Sequence, residues 1–283
     1  MKYKVVKEIK SGMSKDKKYV VYLNDMKEYA FLRVGEVSTK KIQDYENIKK
    51  IYANIKSGNL IKWDICNNEL NAFFKYIPGH LLMDKLKNSS AGEKYQYGIL
   101  AGELLSNIHK KNIKNININF SNEEFINTIL DKYNDFVQKN DIIDLIYKKC
   151  LNEINYISFD DYVILNADYH TENMIVSNNE LYIVDLEKYE YGDRLRDFSF
   201  IYTCGEDKIF AKGLLDGYLV YLKDKKDFFK RFKFYSMISI IQYYIWCYKK
   251  YGNSFDSIKI AKEFLYDFNK SELPLWYEKR DDL

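Results

Sequence analysis

A single Pro-Gly step divides this chain into two stretches of different character and constrains its fold more than any other local feature. Pro78-Gly79 contains one of only two prolines in 283 residues, and this pair interrupts both helices and strands. Short β-rich runs come before it, and mostly helical periodicity follows it. The sequence therefore predicts an α+β protein with two lobes, a β-rich N-terminal lobe over residues 1–77 and a helical C-terminal lobe over residues 78–283.

The N-terminal lobe is predicted to be a small sheet with one helix. Runs of β-branched and aromatic residues, bounded by turn residues, predict strands at Val5–Ile9, Tyr19–Leu23, Tyr29–Val34, Leu60–Ile65 and Leu70–Ile77. From Ser38 to Lys56, apolar residues recur at three- and four-residue steps. That spacing predicts a helix, with Ser38 or Thr39 as its cap and Gly58 as its end.

The C-terminal lobe is predicted to be helical, with one hairpin within it. Helical patterns cover Tyr95–Lys110, Phe125–Val137, Asp141–Ile157 and most of the chain from Asp197 to about Asn269. The segment Ser121–Glu124 has the form of a capping box. Short strands are predicted at Tyr162–Leu165, Met174–Ser177 and Leu181–Val184. The last two are joined by Asn178-Asn-Glu180, which suits a hairpin turn.

Composition argues against several classes of protein. With 44 basic and 41 acidic side chains the net charge is only +3, so we expect no nucleic-acid partner. Four scattered cysteines without a C-x-x-C pair argue against a disulfide framework or a zinc site. The N-terminus lacks the apolar core of a signal peptide, and the longest apolar stretch, Met237–Tyr248, is shorter than the ~20 residues of a membrane span. We expect a soluble cytoplasmic protein without membrane association.

The segment Asp168–Asn173 and the hairpin that follows it contain the candidate catalytic residues. Phosphoryl transfer needs a carboxylate beside the acceptor hydroxyl and oxygen ligands for Mg2+ between the phosphates. Asp168 and Asn173 share one loop, and a hairpin of this length brings Asp185 back beside Asn173. The alternative is a polar turn in which Asp168 caps a neighbour. The flanking strand and hairpin favour the catalytic interpretation.

These motifs resemble those of the aminoglycoside phosphotransferase and choline kinase superfamily of protein-kinase-like folds, over nearly the whole chain. Asn166–Val176 resembles the family's H-G-D-x-H-x-x-N loop, and Ile183–Glu187 resembles its I-D-[FW]-[DE] metal motif. Tyr191–Asp197 resembles the G-D-x-x-x-D segment that follows. Tyr97–His109 is similar to the helix that precedes the substrate region.

The resemblance implies a role for each matched acid. Asp168 would be the catalytic base, Asn173 and Asp185 would hold Mg2+, and Asp193 and Asp197 would brace the loop. The cofactors implied are Mg2+ and ATP, with GTP not excluded. Asn166 stands where relatives usually have histidine, and Ala167 where they often have glycine. Asparagine can still form hydrogen bonds, so we expect activity.

The resemblance also suggests a nucleotide site in the N-terminal lobe. Arg33 matches the strand cation, where many relatives have lysine, and Glu46 matches the helix acid that pairs with it. The alternative for Glu46 is a surface pair with Lys50. The segment Ser11–Ser14 resembles a short phosphate turn, with Ser14 touching phosphate. Lys75 and Ile77 stand at the hinge, where their backbones would bond the adenine, although an ordinary strand exit fits as well.

The partners expected are a nucleoside triphosphate and a small molecule with an acceptor hydroxyl. Aspartates within residues 121–157 and aromatic residues in Tyr243–Tyr248 suit a cationic acceptor such as an aminoglycoside, but they suit a solvated face and a packed core as well. Two alternatives stay open. One is a choline or other metabolite kinase of the same fold. The other is a catalytically weak kinase-like protein with a binding or structural role, like the spore-coat relatives. Nothing in the sequence identifies a protein partner.

Overall fold

The computed structural model describes residues 2–10, 15–112, 121–223, 225 and 227–278. Its strands are β1 (Tyr3–Ile9), β2 (Lys17–Leu23), β3 (Glu28–Glu36), β4 (Leu60–Cys66), β5 (Glu69–Lys75), β6 (His80–Leu81), β7 (Val163–Leu165), β8 (Met174–Ser177), β9 (Glu180–Ile183) and β10 (Glu190–Gly192). Its α-helices are α1 (Thr39–Ile51), α2 (Leu82–Leu86), α3 (Ala91–His109), α4 (Asn122–Asn134), α5 (Asp141–Glu153), α6 (Phe200–Thr203), α7 (Lys208–Leu219), α8 (Phe228–Tyr251), α9 (Phe255–Asp267) and α10 (Leu275–Glu278). Short 3-10 helices cover Ile154–Tyr156, Thr171–Asn173 and Arg194–Phe198.

The described residues form two compact units. The first unit consists of residues 1–85 and 172–189, and the second consists of residues 86–171 and 190–283. The first unit therefore extends past residue 77 and includes a second segment of the chain, which contains β8 and β9. Within the described ranges, no helix has the length and apolar character needed to cross a membrane.

The first unit is built on an antiparallel five-stranded sheet in the order β1-β2-β3-β5-β4. All five strands predicted from the sequence are formed. Asn67 and Asn68 close the β4–β5 hairpin with φ of 50° and 61°, values that asparagine tolerates better than most residues. One face buries a small apolar core that includes Val21, Leu32 and Phe73.

Helix α1 begins where it is predicted to begin, but it ends earlier. Ser38 caps it by accepting the backbone N–H of Lys41. The predicted end at Lys56 is wrong, because the chain leaves the helix after Ile51 and Asn54 takes a left-handed φ of 63°. The carbonyl of Lys56 then accepts the N–H of Ile183 at 3.1 Å, so this segment pairs with β9 instead of continuing the helix.

The second unit is mostly helical, and α8 supplies much of its core. The buried residues of α8 include Phe232, Tyr235 and Tyr244, and the Tyr244 hydroxyl donates to the Gln138 carbonyl at 3.0 Å. Tyr244 is 2% exposed and belongs to the packed core, whereas Trp246 of the same aromatic run is 41% exposed.

Helices α3 and α7 lie in direct backbone contact, and four glycines make this approach possible. A Cβ atom at Gly98 would overlap a backbone carbonyl of α7, and one at Gly102 would overlap the carbonyl oxygen of Leu214. Gly213 and Gly217 are blocked in the same way by carbonyls of α3. Because backbone atoms cannot rotate away, side chains at these positions would force the helices apart.

Candidate active site

The centre of the first unit's sheet holds a buried arginine surrounded by carboxylates. Arg33 lies on β3 opposite Ala72 of β5, and its side chain is only 7% exposed. Its Nη1 atom lies 3.0 Å from Oδ1 of Asp185, and its Nη2 atom lies 2.9 Å from Oε2 of Glu187 and 3.4 Å from Oδ2 of Asp16. A buried guanidinium requires such partners, because an uncompensated charge would be strongly destabilising.

Neighbouring groups hold these acids in place. Lys41 on α1 lies 2.7 Å from Oδ2 of Asp16, and the hydroxyl of Tyr45 donates to Oε1 of Glu187 at 3.1 Å. Gly35 leaves room for this arrangement, since a Cβ atom there would overlap the Asp16 carboxylate. The result is a network of alternating charges on one side of the sheet.

The β8–β9 hairpin brings the two predicted metal ligands together, as their spacing predicts. Asn178 and Asn179 form its turn with φ of 50° and 61°, and the N–H of Val184 donates to the carbonyl of Asn173 at 2.9 Å. Asn173 therefore lies directly opposite the residue that precedes Asp185. Asp185 itself has a left-handed φ of 55°, a strained conformation that often marks functional sites.

The donors at this hairpin fit a magnesium ion that binds together with a nucleotide. The carboxylate of Asp185 is 49% exposed, and Asn173 offers a side-chain amide oxygen. Magnesium prefers hard oxygen ligands and typically takes only one or two protein carboxylates, together with phosphate oxygens and waters. In the described residues, no group of three or more His, Cys, Asp or Glu side chains is arranged to hold a metal ion.

The predicted pairing of Glu46 with Arg33 is wrong. Oε1 of Glu46 accepts a hydrogen bond from the indole Nε1 of Trp63 at 2.7 Å, which directs it towards β4. Glu187 supplies the carboxylate at Arg33 instead. Sequence reasoning gave Glu187 no role, although its position in the motif Ile183–Glu187 was a usable signal.

The remaining nucleotide-site predictions concern backbone groups and one residue outside the described ranges. The N–H of Lys75 donates to the carbonyl of Asn59 at 2.9 Å, so a hinge bond from Lys75 to adenine would use its carbonyl oxygen. Ile77 is buried, with 6% exposure. Ser14 lies outside the described residues. The nucleotide roles of these residues stay predictions.

The loop that carries Asp168 belongs to the second unit and is braced by Asp197. The two carboxylate oxygens of Asp197 accept the backbone N–H groups of Asn166 and Ala167 at 2.8 Å and 2.7 Å. Ala167 has a left-handed φ of 61°, which is unfavourable for a residue with a Cβ atom. The side-chain oxygen of Asn166 accepts the N–H of Asp168 at 3.2 Å. Asp197 thus makes the hydrogen bonds that its predicted role as a brace requires.

The carboxylate of Asp168 is largely buried and lies beside a histidine. Its side chain is 13% exposed, and Oδ1 lies 3.5 Å from Nε2 of His170. The loop beyond is held by the N–H of Thr171, which donates to Oε1 of Glu206 at 2.9 Å, and by the hydroxyl of Tyr169, which donates to the carbonyl of Ala101 at 2.6 Å. Asp168 therefore lies on a loop that is held in place by hydrogen bonds.

Asp193 braces the segment after the hairpin through a network of four charged groups. It accepts the N–H of Leu195 at 2.9 Å and forms an ion pair with Arg231, which also lies 3.0 Å from Asp161. Burial raises the pKa of Asp193, and Arg231 opposes the shift. Burial also acts to raise the pKa of Asp161, but hydrogen bonds and charge from Arg194 and Arg231 outweigh it, so the pKa is lowered.

The pKa of Glu187 predicts a specific pH dependence of stability. Burial raises it above the ordinary 4.5, although Arg33 and Lys41 act to lower it. The folded chain then binds this proton more tightly than the unfolded chain, so the stabilisation from Glu187 is lost as pH rises from its ordinary pKa through its folded pKa. We expect Glu187→Gln to gain stability relative to wild type over that interval in urea unfolding at stepped pH values. A difference that stays constant or falls would contradict the raised pKa.

Comparison with known proteins places the fold in a class. No protein-family model and no curated protein sequence matches the chain. Solved structures match it over most of its length, and they are small-molecule phosphotransferases with the protein-kinase-like fold. This chain has that fold, which confirms the predicted fold class and, at the level of fold, the resemblance noted in the sequence.

Three particular structures illustrate the match. Amicoumacin kinase hAmiN, in complex with AMP-PNP, Ca2+ and Ami, is 13% identical, with a TM-score of 0.66 over 91% of this chain and 87% of that one. A thermostable mutant of aminoglycoside phosphotransferase APH(4)-Ia, in ternary complex with ADP and hygromycin B, is 11% identical, with a TM-score of 0.69 over 94% and 96%. Choline kinase from Cryptosporidium parvum Iowa II is 15% identical, with a TM-score of 0.62 over 96% and 92%.

Proposed function

We propose that this protein is an ATP- and Mg2+-dependent phosphotransferase that transfers the γ-phosphoryl group to a hydroxyl of a small polar molecule. The observation that carries the proposal is the ion pair between Arg33, a buried cation on a sheet strand, and Asp185, a half-exposed carboxylate at the end of a hairpin. Kinases use this combination to hold triphosphate and metal, and little covalent chemistry is left for the protein to perform.

In this proposal each residue has a defined task. Arg33 binds the α- and β-phosphates, because its planar guanidinium presents donors that match phosphate oxygens. Asn173 and Asp185 hold Mg2+, which supplies charge neutralisation at the phosphate oxygens. Asp168 orients the acceptor hydroxyl and accepts its proton as the bond to phosphorus forms. The rigid loop that presents Asp168 supports this task, because a base must be held within hydrogen-bonding reach of its substrate.

The proposed class of acceptor is inferred from the similar solved structures as well as from the residues of this chain. The similar structures are named for kinases and phosphotransferases of amicoumacin, an aminoglycoside and choline, and two of them hold nucleotides. We propose an acceptor of the aminoglycoside kind, with a choline-like amino alcohol as the second candidate. ATP is the proposed donor, and GTP remains to be compared with it.

The decisive experiment measures nucleotide binding and product formation with the full chain. Mg2+ with ATP, and separately with GTP, would be titrated against a panel of aminoglycosides and amino alcohols that includes choline, with ADP or GDP release as the readout. We expect release that depends on both metal and one acceptor class. Failure to bind nucleotide at millimolar ATP would contradict both enzyme interpretations, while binding without turnover would favour the catalytically weak alternative.

A further inference from the structure

Two cations of the first unit, Arg33 and Lys41, contact the same carboxylate oxygen of Asp16. We propose that Lys41 binds nucleotide phosphate together with Arg33, and that the phosphate takes the place of the Asp16 carboxylate. This inference rests on the proposed function and deepens it. It adds a second phosphate-binding cation to the nucleotide site, together with an acid that competes with phosphate for both cations.

The geometry of the shared contact suits a single phosphate group. Nζ of Lys41 lies 2.7 Å and Nη2 of Arg33 lies 3.4 Å from Oδ2 of Asp16. The side chain of Lys41 is 26% exposed, so a ligand from solvent can reach it. Guanidinium and ammonium groups bind phosphate oxygens as they bind a carboxylate. A phosphate group in the position of the Asp16 carboxylate would therefore accept hydrogen bonds from both cations.

Gly35 provides the space that this exchange requires. It follows Arg33 by two residues on β3, so the two residues face the same side of the sheet. A Cβ atom at Gly35 would overlap the Asp16 carboxylate and would lie 2.7 Å from Nζ of Lys41. Both charged groups thus lie directly against bare backbone, and a glycine in a strand allows a ligand to approach the backbone closely.

Asp16 is the carboxylate that phosphate can most readily displace from Arg33. The guanidinium lies 3.0 Å from Asp185 and 2.9 Å from Glu187. It lies 3.4 Å from Asp16, and the longer contact is the weaker one. Glu187 is also held by the hydroxyl of Tyr45, and Asp185 is a proposed ligand of Mg2+. Asp16 directly precedes β2, so its side chain can turn away without disturbing a strand.

Charge balance also favours exchange over simple addition of the nucleotide. Three carboxylates, those of Asp16, Asp185 and Glu187, already face the two cations. A triphosphate added to this set would meet an excess of negative charge, whereas one that replaced Asp16 would take over its two cationic partners. Asp16 follows the predicted phosphate turn, Ser11–Ser14, by two residues. The displaced carboxylate therefore belongs to the part of the chain that is expected to contact phosphate.

Matched variants separate this role from a simple ion pair. Lys41→Met removes the charge, Lys41→Arg keeps it, and Asp16→Asn removes the competing anion. Lys40→Met is the control, because Lys40 is the neighbouring lysine of α1 and is exposed. The double variant Asp16→Asn with Lys41→Met is decisive. If Lys41 only neutralised Asp16, its loss would have no effect on phosphate binding once Asp16 was already uncharged.

Binding of ATP with Mg2+, of tripolyphosphate and of adenosine, measured by titration calorimetry on the full chain, is the test. We expect Lys41→Met to weaken binding of both phosphate ligands about tenfold or more, in the wild-type and the Asp16→Asn backgrounds, which is the lower end of the effect of a charge-assisted hydrogen bond. Lys41→Arg should retain most of the affinity, and Lys40→Met should stay within about threefold of wild type. Asp16→Asn alone should tighten binding of both ligands about threefold or more. Adenosine should bind all variants equally.

Equal affinities of Lys41→Met and Lys40→Met for the phosphate ligands would overturn the role of Lys41. Unchanged or weaker binding in Asp16→Asn would overturn the exchange. Should Lys41→Met fail to fold, Lys41→Gln also removes the charge, and we expect the same weakening. Wild-type protein that binds tripolyphosphate but not ATP would contradict the proposed function, and the variants would still decide the role of Lys41. Binding of neither ligand would overturn both proposals.

Discussion

Replacing Asp168 with alanine should lower kcat for phosphoryl transfer by about 10²–10⁴-fold, the usual contribution of a positioned general base. The affinity for ATP should stay within about threefold of wild type, because the base acts on the acceptor and not on the nucleotide. The residues proposed to bind nucleotide and metal all belong to the first unit, whereas Asp168 belongs to the second. Turnover would be measured by ADP release, and affinity by titration with a fluorescent nucleotide.

Two further variants make this result specific. Asp168→Asn preserves the shape of the side chain and removes its basicity, so it should lose activity nearly as completely as the alanine variant. Asp160→Asn changes an exposed aspartate in the same unit and should leave kcat unchanged. Retained turnover in Asp168→Asn would show that a different carboxylate acts as the base.

The second large effect concerns stability. Gly102→Ala should lower the free energy of unfolding by about 1–3 kcal/mol, because its Cβ atom would overlap the carbonyl oxygen of Leu214 and crowd the backbone nitrogen of Tyr218. Neither atom can move without displacing α7. Tyr218 also contacts His109, which lies 3.0 Å from Asp197, so separation of α3 from α7 would disturb the hydrogen bonds that hold the Asp168 loop.

Helix α3 contains its own control. Gly92 lies in the first turn of the same helix, and a Cβ atom there would meet nothing within 4 Å. Gly92→Ala should therefore stabilise the protein by up to ~1 kcal/mol through helix propensity alone. Opposite signs in urea unfolding would attribute the Gly102 effect to helix contact, whereas equal effects at both positions would refute that explanation.

The elements of this fold were largely predictable because their signals are local. The capping box at Ser121 predicted the start of α4, and Glu124 completes it in the structure. The same signature at Ser90 and Glu93 marks the start of α3, which begins at Ala91, earlier than the predicted Tyr95. The premature end of α1 was not predictable from periodicity, because it follows from pairing with β9, a strand far along the chain.

The predictions for the site also divide into those that follow from local signals and those that depend on tertiary packing. Spacing alone indicated that Asn173 and Asp185 lie together, because one hairpin determines it. The acid that meets Arg33 is chosen by tertiary packing, and helix position wrongly favoured Glu46 over Glu187. His109 gave no sequence signal beyond its place in a helix that matches the resembled family. Its connection to Asp197 depends on how α3 and α7 pack.

The first unit is built from two separate segments of the chain, and this has a consequence for biosynthesis. A ribosome makes residues 1–85 first, but this unit also needs residues 172–189, which carry β8 and β9. Until then Arg33 lacks Asp185 and Glu187, two of the carboxylates that neutralise it, and a buried charge without its partners costs about 3–5 kcal/mol. The nascent N-terminal segment is therefore expected to stay incompletely folded while about a hundred further residues are translated, and a severed 1–85 fragment should fold only when residues 172–189 are supplied in trans.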